Sequence, residues 1–104
     1  MPGVLNGLES SFAALLQERL NKGEILYYGY EKVAFKLAKK TTWTPDFMVI
    51  EADGEVVFME VKGGWFTDAA RVKTKVTASM FPHFKFVLCR KKAGQWFFEE
   101  IEPD

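Results

Sequence analysis

Hydrophobic and polar residues alternate through the middle of the chain in a pattern typical of β-strands. Two short apolar runs, Phe47–Ile50 and Val56–Val61, flank an Asp53-Gly54 pair. β-branched and aromatic residues bounded by Asp-Gly indicate a β-hairpin. The segments before and after this hairpin are expected to supply the elements that pack against it.

Apolar residues recur at helical spacing near the start of the chain, and they predict a first helix over Asn6–Lys22. Gly23 follows as the left-handed residue that ends this helix. The next segment, Ile25–Leu37, is rich in aromatic and β-branched residues that alternate imperfectly. We interpret it as one long or bent strand with a candidate bulge at Gly29.

A second helix is predicted downstream of the hairpin. Gly63-Gly64 lets the chain turn away, and Thr67 or Asp68 caps a helix that runs to about Met80. The residues expected to form its buried stripe are Ala69, Val72, Val76 and Met80.

Two apolar segments near the C-terminus, Phe84–Cys89 and Gln95–Ile101, complete the predicted strands. A strand followed by a helix and then by another apolar strand is typical of a right-handed parallel crossover. The predicted fold class is therefore α/β, with a mixed β-sheet that has an antiparallel hairpin core and is flanked by two helices. At 104 residues the chain is expected to form a single domain, residues 1–104.

Three charged residues interrupt the most hydrophobic part of the chain. Asp46 opens the first strand of the hairpin, and Glu60 and Lys62 lie near the end of the second. Charged side chains are rarely buried unless they are paired or bind a metal. Because side chains alternate along a strand, Glu60 and Lys62 are predicted to share one face of the sheet.

The length of the turn decides whether Asp46 lies on that same face. A two-residue loop would place Asp46 opposite Val61, on the other face. A three-residue loop with a left-handed Gly54 shifts the register by one residue and places Asp46 directly opposite Glu60. We predict the three-residue loop. Two carboxylates with Cβ atoms about 5 Å apart repel unless a cation lies between them, and Mg²⁺ prefers such oxygen ligands.

The same residues resemble a known protein family. Pro45-Asp46, then thirteen residues, then Glu60-Val61-Lys62 matches the PD-(D/E)XK nuclease motif. The longer sequence around this motif resembles the phage endonuclease I type of Holliday junction resolvase and its small phage-encoded relatives. The upstream Asn6-Gly7-Leu8-Glu9 is similar to the helix that carries the family's first acidic residue. The resemblance extends from about Leu5 to Arg90.

This resemblance implies a restriction-endonuclease-like fold, a single nuclease domain, and metal-dependent hydrolysis of DNA phosphodiester bonds, selective for branched DNA in recombination. The catalytic residues that it implies are Glu9, Asp46, Glu60 and Lys62. It implies Mg²⁺ held by Asp46, Glu60, Glu9 and the backbone carbonyl of Val61, with Mn²⁺ expected to substitute, and no small-molecule cofactor. A homodimer is expected because resolving a junction requires two symmetric cuts.

The residues leave several alternatives open. Glu9 has the spacing of a capping box with Asn6, in which it is a helix cap and not a metal ligand. An inward-facing ion pair with one extra carboxylate is the structural alternative for Asp46, Glu60 and Lys62, although burying an unneeded charge is costly. The alternatives to a resolvase are an endonuclease that nicks duplex or flap DNA and a non-catalytic DNA-binding module that retains the fold.

The net charge of zero conceals an asymmetry along the chain. Four of the fourteen acidic residues lie in the last six positions, so residues 1–92 carry fourteen Lys and Arg against ten acids. A basic DNA-binding surface is therefore compatible with the composition. The candidate DNA contacts are Lys39, Lys40, Trp65, Arg71, Lys73 and Lys75. A solvated loop is the alternative for the lysine pair, and core packing is the alternative to stacking on DNA for Trp65 and Phe66.

Other residue types exclude several function classes. The lone Cys89 is expected to be a buried inert thiol, and the lone His83 a surface residue, so no disulfide, zinc site or histidine-based triad is predicted. No apolar run approaches the roughly 20 residues needed to span a bilayer. The start of the chain, Met1-Pro2-Gly3, lacks a signal-peptide pattern. We expect a cytoplasmic protein without a membrane partner, located in the host cytoplasm if it is phage-encoded.

Overall fold

The computed structural model describes residues 5–103 as two helices and seven strands. In chain order these elements are α1 (Gly7–Asn21), β1 (Ile25–Tyr30), β2 (Phe35–Ala38), β3 (Thr41–Trp43), β4 (Phe47–Glu51), β5 (Val56–Gly63), α2 (Asp68–Met80), β6 (Lys85–Lys92) and β7 (Gln95–Glu100). Residues 1–4 and Asp104, on which the predictions about targeting and C-terminal charge partly depend, lie outside the described residues.

Five strands form one mixed sheet in the order β1-β4-β5-β6-β7, and β2 pairs with β3 in a separate two-stranded sheet. Strands β5 and β6 are parallel and joined through α2, whereas the other neighbours are antiparallel. This topology confirms the predicted α/β class, the mixed sheet with an antiparallel hairpin, and the two flanking helices.

The β4–β5 hairpin has the predicted register. Phe47 pairs with Met59 and Met48 with Phe58. The amide of Glu51 donates a 2.8 Å hydrogen bond to the carbonyl of Glu55, which closes a three-residue loop. Gly54 has φ +90°, in the left-handed region that glycine adopts without a steric cost. The turn chemistry therefore determines which side chains of β4 face each layer.

Two hydrophobic layers cover the sheet. On one face, Phe12 and Leu16 of α1 pack on β4 and β5 side chains that include Val49 and Val57. On the other face, the second layer consists of the buried residues Phe35, Trp43, Phe58, Ala78 and Phe86. Strand β5 alternates between the layers, so Glu60 follows Phe58 on the face covered by α2.

Helix α1 begins and ends where the sequence predicts. Asn6 is its N-cap, and the amide of Glu9 donates to the Asn6 side chain at 2.8 Å. Gly23, with φ +77°, follows the C-cap residue Lys22. Neither helix in residues 5–103 has the length and apolar composition needed to cross a membrane.

The prediction of one long strand over Ile25–Leu37 was wrong. Strand β1 ends at Tyr30, and Glu31 then adopts a left-handed φ of 49° that breaks the strand before β2 begins. The register shift lies between Ile25 and Tyr27 and not at Gly29. A Cβ added at position 29 would meet the side chains of Tyr27 and Lys32, so a larger residue there would require these side chains to shift.

The predicted buried stripe of α2 was also wrong. Val72 is 61% exposed and Met80 is exposed as well, whereas the helix buries Thr74, Thr77 and Ala78. The two threonine hydroxyls donate to backbone carbonyls one turn earlier, at 2.9 and 2.8 Å. Because these polar atoms are satisfied within the helix, small threonine side chains can be buried against the aromatic layer.

The two residues that the sequence assigns to structural roles are placed as expected. Cys89 is fully buried in β6, and this burial raises the pKa of its thiol. His83 is exposed in the loop between α2 and β6. Neither residue is positioned for chemistry in this fold.

Candidate functional site

Asp46 immediately precedes β4 and Glu60 lies on β5, and each carboxylate accepts a hydrogen bond from a backbone amide of the other segment. The amide of Val61 donates to Asp46 Oδ2 at 2.8 Å, and the amide of Asp46 donates to Glu60 Oε1 at 3.0 Å. Backbone amides on paired strands have positions that depend on the register. The predicted cross-strand arrangement of the two acids is therefore present.

The environment of this acidic pair opposes the presence of two negative charges. Burial raises the pKa of Asp46 to about 8, and the charge of Glu60 adds to the shift. Burial also raises the pKa of Glu60 above its usual range. Two partly buried carboxylates this close require either a proton or a cation between them. The donor set fits a hard divalent cation, because its ligands are carboxylate oxygens.

Trp43 is a residue of this site that the sequence did not reveal. Its indole Nε1–H donates to Glu60 Oε2 at 3.4 Å, so Glu60 is oriented from two sides. Trp43 ends β3, in the small sheet that packs over the α2 face. Its contact with Glu60 joins residues of two different sheets, and no local pattern predicts it.

Glu9 combines a capping role with a position near the acidic pair. The amide of Asn6 donates to Glu9 Oε1 at 3.1 Å, which completes the capping box. The Tyr30 hydroxyl donates to the same oxygen at 2.8 Å, and the negative charge of Glu9 contributes to the raised pKa of Asp46. The predicted capping contact is thus present, and the role of Glu9 as a metal ligand stays a prediction.

Tyr30 is a second residue that the sequence did not single out. It links β1 to the first turn of α1 through Glu9, and burial with the Glu9 contact raises its pKa. Within residues 5–103, no group of three or more His, Cys, Asp or Glu side chains is arranged to hold a metal ion. Asp46 and Glu60 are two carboxylates that backbone hydrogen bonds across the hairpin bring together.

Lys62 is exposed two residues beyond Glu60 on the same strand, as predicted. Beside Glu60 there is a cavity of about 290 Å³ between the sheet and α2. Lys73 lines this cavity together with Glu60 and Trp43. A lysine from α2 and the carboxylate of β5 therefore border the same space.

A larger groove of about 680 Å³ lies on the α1 side of the sheet and does not contain the acidic pair. Val57, Met59 and Val87 form part of its lining, and its acidic lining residues, Glu24, Glu51, Asp53, Glu55 and Glu100, outnumber Arg19 and Lys85. An acidic border repels phosphate, so this groove is unsuited to DNA.

The other DNA-contact candidates differ in availability. Lys39 and Lys40 are exposed in the turn between β2 and β3, and Lys75 is exposed on α2. Arg71 forms a salt bridge with Glu99, so its charge is partly offset. Phe66 is buried, which agrees with core packing. Trp65 is 64% exposed, which leaves its ring available for stacking on DNA.

The fold places the protein in a structural class, that of restriction-endonuclease-like α/β folds. No protein-family model matches the chain, and no curated protein matches it. Among solved structures, Hjc from Archaeoglobus fulgidus, a Holliday junction resolvase from an archaeal hyperthermophile, superposes with a TM-score of 0.56 and 16% identity. The match covers 88% of this chain and 76% of Hjc.

The crystal structure of SSO0001 is also similar, with a TM-score of 0.55 and 14% identity over 93% of this chain. The chain spans half the length of SSO0001. At these identities the likeness is one of fold. It confirms the predicted restriction-endonuclease-like fold.

Proposed function

We propose that the protein is a Mg²⁺-dependent endonuclease that hydrolyses phosphodiester bonds in branched DNA. The observation that carries this proposal is the reciprocal bonding between Asp46 and Glu60, which fixes two partly buried carboxylates side by side. The fold shared with a Holliday junction resolvase supports the choice of substrate.

The chain's own groups have distinct tasks in this reaction. Asp46, Glu60, the Val61 carbonyl and Glu9 would hold Mg²⁺. When bound, the ion would supply Lewis acidity at the scissile phosphate and would activate the attacking water. The backbone amides that bond Asp46 and Glu60 keep the carboxylates in place before the substrate arrives, so little reorganisation is needed.

Lys62 provides a positive charge at the same face. Its exposed ammonium orients the attacking water and stabilises the negative charge that develops on the phosphate oxygens. Glu9, bonded by Tyr30, adds a third carboxylate at the edge of the site. Mn²⁺ is expected to replace Mg²⁺, since both accept carboxylate and water ligands.

The working unit in this proposal is a homodimer. The two edges of the five-stranded sheet, β1 and β7, expose apolar side chains, with Leu26 61% and Phe98 55% exposed. Unpaired edges with exposed apolar residues favour pairing with another chain. A two-fold pair of sites would supply the two cuts that a junction requires.

The deciding experiment compares labelled four-way junction, flap and linear duplex DNA with identical arm sequences, in Mg²⁺ and in EDTA. We expect cleavage of the junction above that of the duplex, and none in EDTA. Equal cleavage of duplex or flap DNA would favour a simple nicking endonuclease. Tight binding without cleavage of any substrate would favour a non-catalytic DNA-binding module. Cleavage that persists in EDTA would contradict the proposal outright.

A further inference from the structure

Arg90 is a cation near the acidic pair that the proposed reaction does not use. Its Nη1 atom is buried and has no hydrogen-bond partner in the described part of the chain. The guanidinium lies 4.1 Å from the centre of the Trp65 ring and 5.1 Å from that of Phe97. A buried polar atom without a partner is unfavourable, so its retention calls for a ligand that supplies an acceptor.

The acid that lines the same cavity does not satisfy Arg90. Glu99 lines the same cavity of about 200 Å³ as Arg90, but its carboxylate is bonded to Arg71. The other lining residues of this cavity are Phe66, Leu88, Phe97 and Phe98, which offer no side-chain acceptor. The side chains of the described residues that line this cavity therefore leave Arg90 Nη1 without an acceptor.

Trp65 forms a flat surface next to this guanidinium. It follows β5 in the loop before α2 and is 64% exposed, although Arg90 covers one side of it and the Lys92 ammonium lies 5.3 Å from the ring centre. A planar guanidinium against an indole restricts the ring to one orientation. The remaining ring surface is open to a stacking partner.

The sheet register places this cluster beside the proposed catalytic lysine. Lys62 of β5 and Arg90 of β6 are paired residues on parallel strands, two positions beyond the pair Glu60 and Leu88. Two strand positions correspond to about 6.6 Å, a distance comparable with the spacing of successive phosphates along a strand. Like charges opposite each other are unfavourable unless an anion lies between them.

We propose that Trp65 and Arg90, with Lys62 and Lys92 beside them, form a binding subsite for one unpaired nucleotide adjacent to the scissile phosphate. The base stacks on the open surface of Trp65, and the phosphate accepts hydrogen bonds from Arg90. This inference rests on the proposed nuclease function and narrows its substrate to DNA with an unpaired nucleotide at the branch. A base inside a continuous duplex is stacked on both sides and cannot reach the ring.

The first test compares Trp65→Phe with Trp65→Leu, both in an Asp46→Asn background, which is expected to bind DNA without cutting it. Dissociation constants for oligothymidylate, a flap and a linear duplex are measured by fluorescence anisotropy. Trp65→Leu is expected to weaken binding to oligothymidylate and flap about tenfold and to leave duplex binding unchanged. Trp65→Phe retains a stacking ring and is expected to keep most of the affinity.

Two outcomes would overturn the stacking role. If Trp65→Leu and Trp65→Phe have the same dissociation constants for oligothymidylate and flap DNA, an aromatic ring is not needed. Equal loss on duplex and on unpaired DNA would show that the surface does not select an unpaired nucleotide. Because Trp65 is mostly exposed, its replacement is not expected to unfold the protein, and thermal melting of each variant verifies this.

The second test concerns the phosphate contact. Arg90→Gln is expected to reduce the slope of log K against log salt by about 0.7 for oligothymidylate, the value for one lost contact to a single strand. Lys22→Gln is the matched control, because Lys22 is an exposed cation paired with Glu18 at the end of α1. An unchanged slope for Arg90→Gln, or the same change for both variants, would remove the phosphate contact from the proposal.

These binding measurements separate the subsite from the nuclease activity. If wild-type protein cuts no DNA while the Trp65→Leu effect is present, the enzyme proposal fails, whereas the binding of an unpaired nucleotide at Trp65 stands. If wild-type protein cuts branched DNA, and Trp65→Leu and Arg90→Gln made without the Asp46 change bind and cut like it, the subsite alone is wrong.

Discussion

The backbone amide of Asp46 donates a hydrogen bond to the carboxylate of Glu60, while the carboxylate of Asp46 accepts one from the amide that follows Glu60. Each acid is thus anchored to the strand that carries the other. A slip of one residue between the strands would break both bonds and send the side chains to opposite faces. The position of the two carboxylates on one face therefore depends on the register that the hairpin turn sets.

Replacing Asp46 by Asn is expected to abolish cleavage while DNA binding persists. The Asn side-chain carbonyl can still accept from the Val61 amide, so the hairpin is retained, but a charged metal ligand is lost. Asp53→Asn in the turn of the same hairpin is the matched control and should cut normally. Equal cleavage by Asp46→Asn and wild type would refute the site assignment.

Replacing Lys62 by Ala is expected to reduce the cleavage rate by about a hundredfold or more, since a positioned proton-transfer or charge-stabilising group contributes on that scale. Single-turnover kinetics with saturating protein isolate this effect from any change in affinity. Lys22→Ala, which removes an exposed cation at the end of α1, serves as the control. A Lys62→Ala enzyme that cuts at the wild-type rate would exclude Lys62 from catalysis.

The two roles of Glu9 can be separated by substitution. Glu9→Gln keeps a side-chain acceptor for the Asn6 amide, so the capping box and the melting temperature should be nearly unchanged. If Glu9 is also a ligand, the Mg²⁺ concentration needed for cleavage should rise. Asn6→Ala should do the reverse, losing about 1 kcal/mol of stability with normal metal dependence. Normal metal dependence in Glu9→Gln would leave Glu9 as a helix cap only.

The raised pKa of Asp46 predicts a pH-dependent stability of the metal-free protein. A carboxyl group whose pKa is higher in the folded state, here about 8 against 3.8, binds more protons when folded. Its contribution to stability is therefore greatest at low pH and is lost as the pH rises through that window. In EDTA, Asp46→Asn should melt above wild type, by a margin that grows as the pH rises.

Mg²⁺ provides the second half of this test. Because the ion binds the deprotonated pair, it should raise the melting temperature of wild type at about pH 8 far more than at about pH 5. Asp46→Asn should show little response at either pH. A wild-type response that matches that of Asp46→Asn would indicate that no ion binds between these carboxylates.

The sequence predicted the hairpin well because its determinants are local. Alternation in β5 and a left-handed Gly54 together specify which residue faces Asp46. The buried face of α2 was mispredicted because the hydroxyls of Thr74 and Thr77 donate to backbone carbonyls of the helix. A prediction that only separates polar from apolar residues does not take such local hydrogen bonds into account. Polar residues can therefore form a core face when their hydrogen bonds are made locally.

Other parts of the site were missed because their partners are distant in the chain. The contacts from Trp43 to Glu60 and from Tyr30 to Glu9 arise only when separate elements pack together. Arg90 showed no pattern in the sequence, since its relation to Lys62 requires the parallel pairing of β5 with β6. The acidic residues of the motif could be predicted from the sequence, whereas the residues that contact and orient them could not.

The last prediction is that the protein is a homodimer in solution, in keeping with two symmetric cuts. Sedimentation velocity at micromolar concentration, with and without junction DNA, measures this directly. Leu26→Lys on β1 and Phe98→Lys on β7 place a charge at each exposed sheet edge, and at least one should yield a monomer. Val72→Lys on α2 changes a residue as exposed as Leu26 but away from both edges, and should leave the dimer intact. A wild-type monomer under all conditions would exclude the resolvase and leave a nicking endonuclease, because a single site makes one cut at a time.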